Sequence, residues 1–157
     1  MHLDGFPSRP ARPDSCKYVS IVFDNVAQAG TGTAKAAAIL ELDALDAKAG
    51  DGDTGTTFAA GARAIRDALQ NEVLSSGDDA RLAYEIGEIL ARDMGGSSGV
   101  LLSILCTATG AALDEGSNWG EALMRGIERM QHYGGAAQGD RTLLDALIPA
   151  TEALGEG

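Results

Sequence analysis

The sequence predicts an all-α fold, an antiparallel helical barrel or bundle. Apolar residues recur at helical spacing in one segment after another, and no run alternates in the way a half-buried strand would. The breaks between these segments are short and rich in glycine. Hydrophobic residues make up 45% of the 157 residues and aromatic residues only 4%, and alanine-rich cores of this kind favour closely packed helices.

The predicted elements follow in order. Residues 1–15 contain three prolines and are interpreted as a tail or linker, with one domain from 16 to 157. Val22 and its neighbours predict a short first helix, and residues 36–45 a second. The remaining apolar stripes are Phe58, Ala62, Ile65 and Leu69; Leu82, Ile86, Ile89 and Leu90; Val100, Leu101, Ile104 and Leu105; Trp119, Leu123, Ile127 and Met130; and Leu143, Leu144, Leu147 and Ile148. The stripe at residues 100–105 is apolar on most sides and predicts a central helix, whereas Pro149 interrupts the last one.

Charge and composition exclude several classes of partner. A formal net charge of −11 argues against nucleic acid and anionic membranes, since both require a basic surface. No apolar run approaches the ~20 residues of a membrane span, and the first residues lack the apolar region of a secretory signal. Cys16 and Cys106 lie far apart and predict neither a disulfide scaffold nor a zinc site. We therefore expect a cytoplasmic protein.

The most informative segment is residues 46–57, which reads Asp-Ala-Lys-Ala-Gly-Asp-Gly-Asp-Thr-Gly-Thr-Thr. Asp46, Asp51 and Asp53 fall within eight residues, and glycines alternate with polar residues around the last two. Carboxylates crowded on a tight turn repel one another unless a cation lies between them. Oxygen ligands of this type suit Mg²⁺ or Ca²⁺. The segment therefore predicts a metal-binding loop.

Three glycine-containing loops open directly into apolar helical segments. They are residues 52–57, residues 95–99 and residues 139–142, and the third adds Arg141. The N-terminus of a helix presents unpaired N–H groups and a partial positive charge, which suit phosphate. Loops meeting at one end of a helical bundle would build a combined phosphate and metal site.

Simpler interpretations of these residues remain open. Thr57, Ser98 and Asp140 could each be an ordinary N-cap, and the acidic turn could be a solvated loop. An EF-hand does not fit, because the sixth position counted from Asp51 is not glycine and the twelfth, Ala62, is not glutamate. A Walker A loop does not fit either, because no lysine follows a glycine-rich loop.

Three motifs together resemble one known family. Residues 42–57 resemble the first loop of the nucleotide-binding L domain of the dihydroxyacetone kinases. Residues 94–99 (Met-Gly-Gly-Ser-Ser-Gly) resemble its second loop, and residues 139–147 (Gly-Asp-Arg-Thr-Leu-Leu-Asp-Ala-Leu) its third. The motifs come in the family's order with similar gaps, and the resemblance covers residues 39–154.

The resemblance implies a fold, cofactors and site residues. The fold is an antiparallel barrel of eight helices with nucleotide, ATP or ADP, bound at one end. Two Mg²⁺ ions are held by the aspartates at positions 46, 51 and 53 and bridge to the phosphates. The positions that contact phosphate or nucleotide are Thr54, Gly55, Thr56, Thr57, Ser97, Ser98 and Gly139, and Ile148 lies against the base.

The resemblance also implies an activity. A separate K domain or subunit holds dihydroxyacetone, which takes the terminal phosphate of Mg-ATP; the chain alone is not expected to phosphorylate the ketose. Phosphoryl transfer requires positioning and charge neutralisation more than a nucleophilic side chain, so the aspartates are interpreted as metal ligands, and no catalytic side chain is assigned. Two alternatives stay open: the ADP-binding L subunit of the phosphoenolpyruvate-dependent phosphotransferase, and a non-catalytic nucleotide-binding or regulatory module. The oligomeric state also stays open, a homodimer included.

Three departures from the family pattern are visible. Thr54 stands where relatives often have histidine or cysteine. The sequence of residues 52–57 is closer to that of the single-chain, ATP-dependent kinases than to that of the subunits that recycle bound ADP. The family also continues beyond the position of Gly157 through a glycine- and arginine-bearing segment. From this we expect a barrel that lacks its last helices and exposes apolar helix faces.

Overall fold

The computed structural model describes residues 32–48, 50–75 and 77–155. These ranges contain helices and no strand, which confirms the all-α prediction. The predicted tail at 1–15 and the predicted helix around Val22 lie outside the described residues. The helices are α1 (Gly32–Asp46), α2 (Thr54–Gln70), α3 (Asp79–Ile89), a π-helical turn (Leu90–Met94), α4 (Gly96–Asp114), α5 (Trp119–Gly134) and α6 (Leu144–Gly155).

Local sequence signals fix several helix ends. The Asp78 carboxylate accepts a hydrogen bond from the Arg81 N–H at 2.9 Å and caps α3. Asn118 and Glu121 form a reciprocal capping box at the start of α5. Gly135 ends α5 with φ 74°, in the left-handed region that favours glycine.

The helices pack mainly on their neighbours in the chain, and α4 runs antiparallel to both α3 and α5. The start of α4 at Gly99 lies beside Met94 at the end of the π turn, whereas Gly110, near the other end of α4, lies beside Tyr84 of α3. The order of packing is α1 on α2, α2 on the π turn, α3 and the π turn on α4, α4 on α5, and α5 on α6. Within the described residues, α6 makes no substantial return contact with α1.

Two apolar clusters form the core of this helical row. The first joins α2 to α3 and the π turn, and the second joins α4 to α5 and α6. Buried members of the first are Ile65, Leu74, Leu82, Ile89, Leu90 and Met94; those of the second are Leu105, Ile127, Met130, Leu144 and Ile148. Cys106 of α4 contacts both clusters, so α4 is central, as predicted.

The predicted apolar stripes match the buried faces except at three exposed residues, Ala62, Val100 and Leu143. Ala62 is exposed, and Ala64 and Ala68 pack on the core in its place. Val100 is 56% exposed although it belongs to the central helix. Pro149 does not end α6, which continues to Gly155. Proline removes one backbone hydrogen bond from a helix but does not forbid the turns on either side.

By length and composition alone, α4 is long and apolar enough to cross a membrane, contrary to the prediction that no segment approaches that length. A single such helix is weak evidence, because the central helix of a bundle passes the same test. Here α4 has packed neighbours on two sides, α3 with the π turn and α5. Apolar side chains are more exposed on α1, where Leu40 and Leu45 are 68% and 52% accessible.

A candidate metal and nucleotide site

The three predicted metal ligands come together where α1 meets α2. Asp46 is the last residue of α1, and Asp51 and Asp53 lie in the loop that leads to α2. One carboxylate oxygen from each lies within 4.8 Å of the others. Oxygens on opposite sides of one Mg²⁺ are about 4.2 Å apart, twice the Mg–O distance, so small side-chain rotations close the cluster around an ion.

Asp46 also shapes the loop that carries its two companions. Its Oδ2 atom accepts hydrogen bonds from the backbone N–H groups of Gly52 at 2.9 Å and Asp53 at 3.2 Å. The turn is therefore wrapped around the carboxylate at the end of α1.

The electrostatics of the cluster favour a cation. Desolvation raises the pKa of Asp46, but hydrogen bonds from Gly52, Asp53 and Thr54 outweigh it and leave that pKa below its usual value. Desolvation and the charge of Asp51 raise the pKa of Asp53. None of the ion pairs within the described ranges involves these three aspartates. A bound cation would supply the charge that no side chain in the described ranges provides.

A fourth carboxylate, Asp43, adjoins the site and was not predicted from the sequence. Its Oδ1 accepts from the backbone N–H of Thr56 at 3.0 Å, and its Oδ2 accepts from the Thr56 hydroxyl at 2.7 Å. These bonds hold the pKa of Asp43 below its usual value. Asp43 lies three residues before Asp46, which places both on one face of a helix, and this spacing was the signal available in the sequence.

The predicted phosphate-binding loops at residues 52–57 and 95–99 differ in the partners of their hydrogen-bond donors. Thr56 donates to Asp43 from both its N–H and its hydroxyl. Thr54 and Gly55 help to lower the pKa values of Asp46 and Asp43, and Thr57 acts on the pKa of Asp53 in the same direction. Gly55 is buried where α1 and α2 meet. The donors of Thr56 thus face a carboxylate, and the predicted contacts of residues 54–57 with phosphate remain predictions.

The loop before α4 leaves its donors open. Gly95 takes φ 74° and begins the helix without a side-chain cap, so the N-cap interpretation of Ser98 is wrong. The first N–H groups of an α-helix have no partner within the helix. Ser97 is exposed, Ser98 is half-buried, and the turn before them is π-helical, a form often found at functional sites. Among the described loops, this one is best suited to a phosphate.

The third loop is held by hydrogen bonds to two nearby carboxylates, Asp145 in the first turn of α6 and Asp140 in the loop itself. Asp145 accepts from the N–H of Gly139 at 2.6 Å and from that of Thr142 at 2.9 Å. Asp140 accepts from the N–H of Ala137 at 2.8 Å, so it caps its own loop and not α6, which begins later. Arg141 is exposed and takes φ 60°, a conformation uncommon outside glycine.

Ile148, predicted to lie against the base, is buried in the second core cluster and only 9% exposed. Little of its surface is available to a ligand in this conformation, and its role remains a prediction.

The three glycine-containing loops lie at the same end of the packed helices. Antiparallel order brings the start of α2, the start of α4 and the end of α5 together, and Gly134 of α5 lies beside Leu101 of α4.

Comparison with known protein families identifies the family to which the chain belongs. The family profile described as the DAK2 domain matches residues 48–157, more than half of the chain. The chain belongs to the DAK2 domain family. The match includes Asp51, Asp53 and both later loops, so the resemblance stated from the three motifs is confirmed.

Curated relatives of this DAK2 domain are kinases. It is 55% identical over 113 residues to the dihydroxyacetone kinase of Citrobacter freundii, covering 72% of this chain and 20% of the relative. It is 38% identical over 146 residues to the human triokinase/FMN cyclase, covering 83% and 25%. It is 36% identical over 143 residues to the D-erythrulose kinase of Mycolicibacterium smegmatis, covering 88% and 24%. The chain thus spans about a fifth to a quarter of these relatives.

Solved structures agree with this placement. The native dihydroxyacetone kinase of C. freundii superposes with a TM-score of 0.78 at 40% identity, covering 99% of this chain and 29% of the kinase. A structure of the C. freundii kinase in complex with AMP-PNP and Mg²⁺ gives a TM-score of 0.76 at 41% identity, covering 98% and 28%. The DAK2 domain therefore has the helical fold of the part of that kinase that it covers, as predicted.

Proposed function

We propose that this chain is the Mg-ATP-binding part of a dihydroxyacetone (glycerone) kinase. The terminal phosphate of the bound ATP would go to dihydroxyacetone held by a separate K domain or subunit. The single observation that carries the proposal is the cluster of Asp46, Asp51 and Asp53, uncompensated by any cationic side chain of the described residues. The AMP-PNP and Mg²⁺ complex of the similar C. freundii kinase supports it.

The residues fit the proposed ligand. Asp46, Asp51 and Asp53 would hold Mg²⁺, two ions in our proposal, and the open N–H groups at Ser97 and Ser98 would receive a phosphate. Bound Mg²⁺ neutralises phosphate charge and orients the transferred group. The chain itself contributes binding and orientation, and we assign no side chain as a general base. A cytoplasmic setting remains our prediction.

The first experiment is calorimetric titration of the chain with AMP-PNP, with and without Mg²⁺. We expect binding that depends on Mg²⁺. Asp51→Asn and Asp53→Asn should each abolish that dependence while the far-ultraviolet circular dichroism stays helical, because both carboxylates are exposed and support no core packing. The matched control is Asp67→Asn, the same change of charge at an exposed position near the other end of α2.

The outcomes separate the candidate functions. Loss of helical structure in the Asp51 and Asp53 variants would assign these residues a structural role. Binding of AMP-PNP without phosphate transfer after addition of a K domain would identify a non-catalytic nucleotide-binding module. Transfer from a phosphocarrier protein instead of free ATP would identify the phosphoenolpyruvate-dependent system.

A further inference from the structure

Two carboxylates of α1 hold the end of the metal loop and the first turn of α2. Asp46 accepts from Gly52 and Asp53 at the end of the loop, and Asp43 accepts from Thr56 in the first turn of α2. Asp51 and Asp53 lie at the first of these anchors, on either side of Gly52. The distance from Asp46 to the other two metal-cluster residues is therefore set by bonds to one helix.

The Asp43 contact uses both hydrogen-bond donors of Thr56. The backbone N–H donates to Oδ1 and the hydroxyl donates to Oδ2, at 3.0 and 2.7 Å. A hydroxyl and an N–H that both point at a carboxylate cannot also point at a phosphate oxygen. Thr56 therefore differs from Ser97, whose loop has no side-chain cap.

Close packing beneath this contact makes it a joint between the helices. A Cβ atom on Gly55 would be in hard contact with the Ile39 carbonyl oxygen and 3.0 Å from Asp43 Oδ1. The backbones of α1 and α2 therefore approach each other directly below the Asp43–Thr56 pair. Charge-assisted bonds at such a point fix orientation as well as distance.

We propose that Asp43 is a positioning residue for the metal site: it fixes the first turn of α2 through Thr56, and Thr56 acts through Asp43 and not on a phosphate. The proposal rests on the proposed function in one respect, that Asp46, Asp51 and Asp53 hold the metal. Residues that orient metal ligands commonly change metal affinity by ten- to a hundredfold when they are removed.

The test measures Mn²⁺ affinity by electron paramagnetic resonance on the full chain, with Mn²⁺ alone as the probe. Asp43→Ala should weaken binding by about tenfold, because both acceptors for Thr56 are lost. Thr56→Val keeps the N–H bond and should weaken binding less, and Thr56→Ser should bind like the unaltered chain. The control is Glu41→Ala, which removes an exposed carboxylate from the same helix.

The double variant Asp43→Ala/Thr56→Val decides between the two roles of Thr56. If Thr56 acts through Asp43, the double variant binds Mn²⁺ and Mg-AMP-PNP no more weakly than Asp43→Ala alone. Multiplying losses in AMP-PNP affinity would show that Thr56 contacts phosphate itself and would overturn the proposal. Unchanged Mn²⁺ affinity in Asp43→Ala would also overturn it.

Two further readouts keep the result interpretable. Urea unfolding of each variant separates lost affinity from lost stability; if Asp43→Ala does not fold, Asp43→Asn, which keeps Oδ1 as an acceptor, takes its place and should show a smaller loss. An unaltered chain that binds Mn²⁺ but not AMP-PNP would contradict the proposed function, while the variant series would still decide the role of Asp43.

Discussion

At the residue scale, Asp145 shows how one carboxylate organises a loop. Hydrogen bonds from Gly139 and Thr142 hold its pKa below the usual value. A depressed pKa means that the ionised form stabilises the folded state. This stabilisation is present above the unfolded-state pKa of about 3.9 and is lost as the pH falls through the lower folded-state pKa.

We therefore expect Asp145→Asn to be less stable than the unaltered chain at pH 7 and to match it more closely as the pH falls below about 4. Urea unfolding at several pH values, without added metal, measures the difference. Asp140→Asn is the control, since its carboxylate bonds the neighbouring Ala137 within the same loop. If the difference in unfolding free energy between Asp145→Asn and the unaltered chain grows as the pH falls, the ionised Asp145 carboxylate does not stabilise the folded state.

Cys106 gives a second prediction at this scale. Burial between the two core clusters raises the pKa of its thiol to about 11. Only the thiolate is reactive, so at pH 8 about one thiol in a thousand is ready to react. In a Cys16→Ser background, Cys106 should resist Ellman's reagent in buffer and react rapidly in urea. Rapid reaction in buffer would mean that α4 is not packed as described.

At the scale of elements, the joint between α1 and α2 is the most demanding contact of the site. Gly55→Ala should destabilise the chain by about 1–3 kcal/mol, the usual range for overpacking, although alanine is the better helix former. It should also weaken Mg²⁺ binding, because α1 and α2 carry the ligand loop between them. Gly134→Ala is the control, since its new methyl group meets only the flexible end of Leu101.

Urea unfolding and Mn²⁺ titration of both variants provide the measurement. Equal stability of the two alanine variants would mean that α1 moves away from α2 without cost. Loss of stability in Gly55→Ala without loss of metal affinity would separate the packing of this joint from the arrangement of the ligands.

The helices themselves were largely readable from the sequence. Apolar spacing located α2 to α6, because a helix that buries one face must repeat its apolar residues every three or four positions. Ala62 was misplaced, since a small residue fits either face and carries little signal. The π turn at 90–94 was missed, because nothing in the local sequence distinguishes an i+5 bond from an i+4 bond.

The sequence predicts the metal ligands that are close in the chain, but not the contacts that depend on how the helices pack. Asp46, Asp51 and Asp53 are close in sequence, so a tight turn suffices to gather them. Asp43 is also close in sequence, but its partner Thr56 is thirteen residues away on the next helix. That pairing depends on how α1 packs against α2, which a linear pattern does not specify. The burial of Ile148 depends in the same way on α4 and α5.

At the scale of the whole molecule, the formal charge of −11 opposes compact folding, and the metal site concentrates part of that charge. Mg²⁺ should therefore raise the melting temperature, and excess EDTA should reverse the gain. A ligand at a hundred times its dissociation constant adds about 2.7 kcal/mol to the stability of the folded state.

Differential scanning calorimetry over a range of MgCl₂ concentrations checks this expectation. NaCl at matched ionic strength controls for general screening, and Asp51→Asn controls for the specific site. We expect a larger shift with MgCl₂ than with NaCl in the unaltered chain and equal shifts in the variant. If MgCl₂ and NaCl shift the melting temperature equally in the unaltered chain as well as in the variant, Mg²⁺ acts only by screening.

The packing of each helix on its neighbours in the chain has a consequence for how the molecule assembles. Contacts between adjacent helices are short in sequence, so helix pairs can form quickly and separately. The three glycine-containing loops at residues 52–57, 95–99 and 139–142 belong to different pairs, and they meet only after the pairs have docked. A nucleotide that contacts all three loops would bind after the rate-limiting step. It would slow the unfolding rate and leave the folding rate nearly unchanged.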